Sequence, residues 1–552
     1  MKKALLLVLI PAGLALWAFF QASPVAPGAL AGYCPPGALL YLEAKDFAAL
    51  LQDWKESPEK KLWLASANYQ VFSRSRLFGR LERSQQEFST AAGVPPDMAL
   101  VDSVAGGNSA IAFYDIGKLE FLYVTRLPSA RALESALWKT RSQFEPRNAA
   151  GQAYYVRVDT SSRRVAAFAV VNDLLLIATR EDLVAGALAL IAGQAGGSVK
   201  AENWFDQAVR AAGQQGELRL VLNMTALAGS AHFRSYWIQR NVSDLRAARA
   251  AVIDLHRSAG EYREERVFVR SSADYTPPDE APVAQLVRLV PDDAGLYRAW
   301  AGPGSSLAAY LIRQKILDPR GGAAQPSKTA PSVWVEAGTA GSESDLETRI
   351  DEMPLERPSG HANLDALERL MDAVSVQAVM EVQSSRVLPD GVFVDNDPVV
   401  VLLGASDWNA GAVRAAIDAG LSGGWGAEYA LAAQGRILAL GRSERAIQPL
   451  MARVSQPAAS QGALYTASYR HSRELANYER MMRLVDNTAR EAAPPPQLQP
   501  SGQQDEPPPR EPQFFSENVA GLGRVLGRVR SATIVVHDGR QVVSQTVTYK
   551  LQ

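Results

Sequence analysis

Residues 165–183 read VAAFAVVNDLLLIATREDL, and this stretch decides the predicted fold. Its two apolar runs, Val165–Val171 and Leu174–Ala178, flank Asn172-Asp173, a pair that favours a tight turn between antiparallel strands. The polar run Thr179–Asp182 follows with the spacing of a helix capping box and precedes another apolar run. The stretch therefore predicts a β-hairpin followed directly by a helix.

The same order of features recurs in the second half of the chain. Tyr429–Ala433 and Arg436–Leu440 flank a turn at Gln434-Gly435, and Arg442 follows that hairpin as Arg180 follows the first. Three further pairs of segments match in the same order: Pro35–Tyr41 with Pro291–Tyr297, Gly216–Leu220 with Gly462–Thr466, and Ile253–His256 with Ile534–His537. A collinear set of matches predicts a tandem duplication.

Other local patterns also mix strands with helices. Ala38–Ala44 predicts a strand, and Asp46 is a predicted N-cap for a helix with one apolar face over Phe47–Trp54. Ala110–Asp115 and Leu119–Thr125 predict a second hairpin. Hairpins separated by helices predict an α+β fold class. We expect two tandem similar domains with largely antiparallel sheets and packed helices, after an N-terminal hydrophobic helix.

Composition shifts along the chain predict the domain boundaries. The predicted segments are an export signal or membrane anchor at 1–22, a tether at 23–33, the first α+β repeat at 34–274, a linker at 275–285 and the second repeat at 286–552. The second repeat contains a proline-rich insert at 491–513 that is predicted to be disordered.

The N-terminal segment predicts export. Lys2 and Lys3 precede Ala4–Phe20, a run without charged residues, and by the positive-inside rule the remainder of the chain faces outward. We favour a retained anchor. Cleavage after Ala29-Leu30-Ala31 is the alternative, and lipidation of Cys34 is disfavoured because Tyr33, a bulky residue, precedes it.

The composition excludes some classes of partner and cross-link. The chain has 552 residues, a net charge of −1 and one cysteine, so an intramolecular disulfide is excluded. Because no global field favours polyanions, we expect no nucleic-acid partner. The values of 47% hydrophobic and 21% charged residues are typical of a globular protein.

Histidine and serine patterns carry little chemistry. No histidine pair has metal-site spacing and no cysteine cluster occurs, which argues against structural zinc; the histidines are His232, His256, His361, His471 and His537. His256 and His537 occupy matched positions, either as polar strand-end residues or as a ligand or base. Ser57–Lys60 fits S-x-x-K, either as a helix start or as a penicillin-binding-like serine.

Glycine, tryptophan and arginine patterns are equally unspecific. Gly106-Gly107-Asn108 precedes a strand, whereas a phosphate loop follows one. A second glycine group favours close helix packing over nucleotide binding: Gly521, Gly523 and Gly527. Outside the export segment, the tryptophans of the first half are core residues or line a ligand groove: Trp54, Trp63, Trp138, Trp204 and Trp237. Arg180 and Arg442 either pair structurally or bind anions. We predict no catalytic, cofactor-binding or metal-binding residue, and no cofactor.

The segment LLIATREDL (175–183), with the exported N-terminus and the strand that opens at Pro35–Tyr41, resembles a bacterial family known as domain of unknown function 3352. The resemblance covers mainly residues 34–285. It implies a bacterial envelope protein of unknown role and no functional residues.

These features favour a non-catalytic binding or scaffold module that faces the periplasm, held at the cytoplasmic membrane by residues 4–20 and able to meet envelope protein partners. The alternatives are an envelope hydrolase whose site is built from sequence-distant residues, and a carrier of an apolar ligand. A duplicated pattern without a duplicated reactive constellation argues against an enzyme.

Overall fold

The structure is a computed structural model, and its strands and helices are numbered below in chain order. It describes residues 30–65, 69, 73, 76–92, 98–127, 141–194, 196–230, 247–272, 274, 276–317, 364–387, 394–421, 428–458, 462–471, 473–474 and 528–552. The predicted anchor at 1–22 and the predicted insert at 491–513 lie outside these residues.

The chain divides into two compact units. The first consists of Met1–Glu56, Arg76–Trp237 and Ala248–Leu255, and the second of Ser57–Ser75, Ile238–Ala247 and His256–Gln552. The boundary after Leu255 falls inside a strand rather than in the linker predicted at 275–285.

The first unit contains an antiparallel sheet. Its strands are β1 (Leu40–Ala44), β2 (Ser109–Asp115), β3 (Glu120–Arg126), β4 (Glu145–Ala149), β5 (Gln152–Val158), β6 (Val165–Val171), β7 (Leu174–Ala178), β8 (Leu218–Asn223) and residues 248–255 of β9 (Ala248–Ser258). Hydrogen-bonded neighbours follow the order β9-β8-β1-β2-β3-β7-β6-β5-β4. All these pairs are antiparallel, as expected for a chain built from hairpins.

Helices cover the first sheet on both faces. The described helices of this unit are α1 (Phe47–Glu56), α3 (Arg76–Ala92), α4 (Met98–Val104), α5 (Glu181–Ile191), α6 (Asn203–Ala211) and α7 (Met224–Gly229). Ala91 and Ala92 of α3 pack with Phe168, Leu175 and Ile177 in one apolar cluster. All five residues of β7 are buried. Since side chains alternate between the faces of a strand, both faces are covered at β7.

The second unit contains a longer antiparallel arrangement. Its strands are β10 (Glu261–Arg270), β11 (Leu296–Ala301), β12 (Val376–Val387), β13 (Val394–Gly404), β14 (Ala430–Gln434), β15 (Ile437–Gly441), β16 (Tyr465–Tyr469), β17 (Val529–Asp538) and β18 (Val542–Leu551). Neighbours follow the order β10-β18-β17-β16-β11-β12-β13-β15-β14.

Alternating side chains of the second sheet form two separate cores. Its described helices are α2 (Pro58–Leu64), α8 (Ala281–Val287), α9 (Gly304–Ile312), α10 (Asp365–Val374), α11 (Ala410–Leu421) and α12 (Glu444–Met451). Val379 and Leu402 pack with α9, α10 and α11 on one face. Met380 and Val401, their chain neighbours, pack with α8 and α12 on the other. The chain therefore has the α+β class predicted from its hairpins and helices.

Seven consecutive strands have the same order in both sheets. In the first unit they are β9-β8-β1-β2-β3-β7-β6, and in the second they are β17-β16-β11-β12-β13-β15-β14. Tyr41 and Tyr297 are each the second residue of the matched strands β1 and β11, and they pair with Val221 of β8 and Ser468 of β16.

Strand pairing corrects the sequence matches by one residue at two places. Val171 pairs with Leu174, whereas Gln434 pairs with Ile437, so the second turn is Gly435-Arg436 rather than Gln434-Gly435. Asn172 and Gly435 both adopt left-handed φ angles, 54° and 56°. In the other match, the Glu217 N–H donates to Leu255 and the Leu464 N–H to Val536, so Glu217 corresponds to Leu464 rather than to Ala463.

The predicted capping box at Thr179–Asp182 is wrong, although α5 itself forms as predicted. The Thr179 hydroxyl accepts the Phe121 N–H at 2.9 Å and so faces β3. Arg180 occupies the N-cap position without a capping hydrogen bond from its side chain. Ser443 occupies the same place before α12 and does cap, by accepting the Ala446 N–H.

Two predicted connectors are partly folded. Leu30–Tyr33, at the end of the predicted tether, forms a 3₁₀ helix in which Leu30 and Ala31 are buried. Helix α8 begins at Ala281, inside the predicted linker, and buries Val283 and Ala284. Each segment has only a few apolar residues, and their periodicity is too weak to predict a helix from the sequence.

Helix α1 forms with the predicted N-cap, but its apolar face is not buried. Asp46 caps it by accepting the Ala49 N–H at 2.9 Å. None of its residues is buried, and Trp54 remains 46% exposed. No helix in the described residues is long and apolar enough to cross a membrane.

Candidate functional site

A basic cleft of about 980 Å³ lies at the end of the second unit's sheet where four strands begin or end. We use "basic cleft" for the space lined by Ser258–Glu261, Arg470, Arg473, Arg530, Ser531, Lys550 and Leu551. These residues stand where β10 and β17 begin and where β16 and β18 end. In an antiparallel sheet, one strand begins where its neighbour ends, so strand termini that are far apart in sequence lie together at one end of the sheet.

Positive charge predominates in the basic cleft. Three arginines and Lys550 face one carboxylate, that of Glu261. Arg473 lies 3.9 Å from Asp293 and 3.7 Å from Glu474. Within the described ranges, Arg470 and Lys550 form no ion pair. The cleft therefore has the electrostatic character of an anion site.

A β-bulge places one of these arginines. Val529 pairs with Leu551 and Ser531 pairs with Lys550, so Arg530 is an extra residue between two successive pairs. A bulge changes the direction of its side chains and often stands beside a binding site.

A smaller cleft of about 500 Å³ lies in the first unit, between α3 and the turn that connects β5 to β6. Its lining has mixed charge, including Arg83, Glu87 and Asp159. Hydrogen bonds from the hydroxyls of Ser161 and Ser162 lower the pKa of Asp159 to about 2. This carboxylate is committed to its own turn.

Of the two matched histidines, His537 has the closer carboxylate. Its Nδ1 lies 2.8 Å from Glu280 Oε2, while Glu280 Oε1 accepts the Asp538 N–H at 2.7 Å. The Glu280 carbonyl also accepts the Ala463 N–H. Glu280 therefore connects the start of α8 to β17 and to the segment that precedes β16. No hydroxyl among the described residues is hydrogen-bonded to His537, so the contact is a histidine–carboxylate pair without a nucleophile.

The other histidines are dispersed. His256 Nε2 lies 3.5 Å from Glu265 Oε2, without hydrogen-bonding geometry. His471 is buried, and its ring lies 5.9 Å from that of Tyr469. His232 and His361 lie outside the described residues. In the part of the chain that the structure describes, no group of three histidine, cysteine or acidic side chains could hold a metal ion.

Serine and glycine patterns have structural positions. Ser57 is the N-cap of α2, and its hydroxyl accepts the Lys60 N–H at 3.1 Å, as the helix-start interpretation predicts. The Gly106 and Gly107 carbonyls accept N–H groups from the start of α1. A Cβ atom on Gly106 would lie 2.2 Å from the Arg126 carbonyl oxygen, so only glycine fits there. Gly521, Gly523 and Gly527 lie outside the described residues.

The matched arginines have structural partners. Arg180 pairs with Glu120 at 3.1 Å and with Asp182 at 2.5 Å, while Arg442 donates to the Lys315 carbonyl at 3.3 Å. The strand register shows that Arg442 corresponds to Thr179 rather than to Arg180, because Ala178 and Gly441 occupy the same position. The match between Arg180 and Arg442 is therefore wrong by one residue, and both side chains have the structural partners that the favoured interpretation predicts.

The three described tryptophans of the first half are not fully buried. Trp54 is exposed, and Trp63 and Trp204 are half-buried. Trp138 and Trp237 lie outside the described residues.

Among the described residues, each unit has an ion pair between two directly paired strand residues with a buried carboxylate. In the first, Arg219 donates to both carboxylate oxygens of Asp254, at 2.8 and 2.7 Å, and both side chains are almost fully buried. In the second, the fully buried carboxylate of Glu381 meets the half-buried guanidinium of Arg298. Lys315 Nζ lies 3.0 Å from Glu381 Oε1 but outside hydrogen-bonding geometry. These pairs lie inside the sheets rather than facing a cleft.

A buried polar cluster in the first unit lies near the single cysteine. The Tyr41 hydroxyl donates to Glu43 at 2.8 Å, and Asn108 donates to the same carboxylate at 3.0 Å. Burial, together with the Glu43 charge, raises the pKa of the Cys34 thiol well above its usual range. A thiol held protonated and fully buried is a poor nucleophile.

The basic cleft was not predicted from the sequence. Its residues span positions 258 to 551. The only local signals for it in the sequence are two short basic groups at strand ends, RHSR (470–473) and RVR (528–530).

The comparisons with known proteins add little. No family model matches the sequence. No curated protein matches it. Among solved structures, the chain is similar to TP0453 in its crystal forms IV, I and III, with TM-scores of 0.23, 0.23 and 0.24 and identities of 12%, 11% and 12%. The matches cover 43%, 46% and 50% of this chain and 79%, 82% and 89% of the other. A likeness this distant carries no argument.

Proposed function

We propose that the chain is an exported bacterial envelope protein, held at the cytoplasmic membrane by residues 4–20, in which two tandem similar domains form a non-catalytic binding or scaffold module facing the periplasm. One observation carries this proposal: seven strands keep their order in both units, while the buried ion pairs inside them, Arg219–Asp254 and Arg298–Glu381, do not correspond. In a duplicated enzyme, we expect at least one copy to hold its reactive side chains beside a nucleophile or a metal. Membership of the family of unknown function stays a prediction.

The segment before Cys34 supports a retained N-terminus. Leu30, Ala31 and Cys34 are fully buried, and the Cys34 carbonyl accepts the Val199 N–H at 2.9 Å. Cleavage after Ala31 would remove buried Leu30, and a lipoprotein would lose it as well. The fold of the first unit therefore favours an intact connection to the predicted anchor.

Intact-mass measurement of the mature chain tests the anchor. A chain with a C-terminal tag is purified from membranes of the native bacterium. We expect a mass that includes residues 1–31. A matched Cys34→Ala variant should fractionate with the membrane as the natural chain does. A mature chain that begins at Gly32, or release of the variant from the membrane, would contradict the proposal.

Proximity labelling tests the binding role. The labelling enzyme is fused to the C-terminus of the full chain, and a control carries it directly after residue 29. We expect a small set of envelope proteins to recur with the full chain only. Recurrence of one enzyme pathway alone would count against a purely structural role.

The hydrolase alternative rests on the His537–Glu280 contact. A His537→Ala variant of the labelling fusion separates the two proposals. Unchanged partners and growth support the binding module, whereas accumulation of an envelope polymer in the variant supports a hydrolase. The carrier of an apolar ligand is less favoured, because polar side chains predominate in both clefts.

A further inference from the structure

We propose that the basic cleft binds a ligand that bears a diphosphate group. This inference goes beyond the proposed function, which names no ligand, and it does not depend on where the chain resides. It rests on the charge, the size and the construction of the cleft.

The charge of the lining fits a diphosphate. The lining side chains alone sum to +3, from three arginines, one lysine and one glutamate, and Arg473 also lies beside the carboxylates of Asp293 and Glu474. Two linked phosphate groups carry about three negative charges near neutral pH. Arginine binds such oxyanions in a bidentate manner, and lysine adds a point charge.

The size of the cleft indicates a ligand larger than the diphosphate itself. A volume of about 980 Å³ falls at the upper end of the range for small-molecule sites. A bound diphosphate fills only part of this space, so we expect the ligand to carry an additional moiety beside the phosphates.

The cleft is specific to the second unit. The N–H groups of Asn223 and Arg470 donate to Leu39 and Gly295, which each precede the first matched strand, so Asn223 and Arg470 correspond. By the same register Ala226 corresponds to Arg473. The first unit thus has an uncharged amide and a methyl group where the second has two guanidinium groups. General requirements of the fold do not explain these arginines.

Calorimetric titration of the full chain with inorganic pyrophosphate tests the proposal, in a neutral detergent at low ionic strength. We expect saturable binding to the natural chain. The double variant R473A/K550A removes two exposed cations and should bind about a hundredfold more weakly, about tenfold for each lost charge-assisted contact. Exposed side chains of this kind contribute little to folding, and circular dichroism verifies that the variant folds.

Two further variants distinguish binding in the cleft from general charge effects. Glu261→Gln removes the only carboxylate of the lining and should tighten binding severalfold, a gain that a damaged fold would not produce. Arg210→Ala removes an exposed arginine of the first unit and should leave binding unchanged. Absence of saturable binding at millimolar pyrophosphate, an equal loss with Arg210→Ala, or no gain with Glu261→Gln would overturn the proposal.

Competing ligands define the chemistry and its source. Citrate carries a similar charge on carboxylates, and equal binding of citrate would overturn the phosphate assignment. A short-chain alkyl diphosphate in the same micelles represents a lipid headgroup. Tighter binding of the alkyl diphosphate than of pyrophosphate supports a lipid-borne ligand, whereas equal binding supports a soluble one.

Discussion

The two units share an order of seven strands, yet the ion pairs between directly paired residues, Arg219–Asp254 and Arg298–Glu381, lie at different positions in that order. Arg219 and Asp254 are directly paired across β8 and β9, and their counterparts Thr466 and Val535 are paired across β16 and β17. Arg298 and Glu381 are paired across β11 and β12, where the first unit pairs Leu42 with Ile111.

This exchange shows which constraint the sheet imposes. An ionic pair and an apolar or mixed pair occupy the same cross-strand position without changing the strand order. Burial penalises a single charge far more than a complete pair, so both partners must change together. At a buried cross-strand position, the two paired residues are therefore constrained together rather than one by one.

The largest expected effect is the loss of one partner of the better buried pair. Asp254→Asn removes the negative charge that pairs with the Arg219 guanidinium, and the Arg219 side chain is only 4% exposed. We expect the first unit to lose about 3–5 kcal/mol of unfolding free energy. Hydrogen exchange of the β8 and β9 amides measures this loss, while amides of β11 and β12 should be unaffected.

Glu381→Gln is the matched variant in the second unit. Its cationic partners Arg298 and Lys315 keep 35% and 27% of their side chains exposed, so water can solvate them after the change. We expect a smaller loss, about 1–3 kcal/mol, in the amides of β11 and β12. A loss as large as that of Asp254→Asn would refute the solvation argument.

Transplanting the second unit's pair into the first should restore stability. The double variant R219T/D254V introduces the residues found at the matched positions, and it removes both buried charges together. We expect it to regain about half or more of the loss seen in Asp254→Asn. The Gly216 N–H, which donates to Asp254, stays unsatisfied and limits the recovery. A double variant no more stable than the single one would show that the two positions are not interchangeable.

The matched tyrosines provide a smaller contrast. Tyr41 is fully buried and donates to the Glu43 carboxylate, whereas Tyr297 is half-buried. Tyr41→Phe should therefore cost about 1.5–3 kcal/mol and Tyr297→Phe about 0.5–1.5 kcal/mol. Denaturant unfolding followed by exchange in each unit tests the order, and a reversed order would contradict the role of the charged acceptor.

The smallest effect concerns acid. Two serine hydroxyls lower the pKa of Asp159 to about 2, below its ordinary value near 4. Its folded-state pKa is depressed, so its contribution is present above the ordinary value and is lost as the pH falls from about 4 to about 2. Asp159→Asn should abolish this part of the acid dependence in the first unit, as measured by exchange of β5 and β6 amides. An unchanged acid profile would mean that the turn opens without loss of stability.

Much of the local structure was predictable. The hairpin of Val165–Ala178, the helix after it and the strand-end positions of His256 and His537 follow from periodicity and turn chemistry. The matches to the second hairpin and to Gly462 were one residue out of place. Similar apolar letters fit two adjacent alignments, and backbone hydrogen bonds distinguish them.

The sequence by itself determined the alternation of strands and helices, because side-chain periodicity and turn residues act within a few positions. Tertiary structure alone decided which charges meet. Asp254 finds Arg219, and Arg530 joins Arg470 and Lys550, only because antiparallel strands bring distant residues to a common position or edge. Coulomb and desolvation energies depend on that spatial placement, which no local pattern contains.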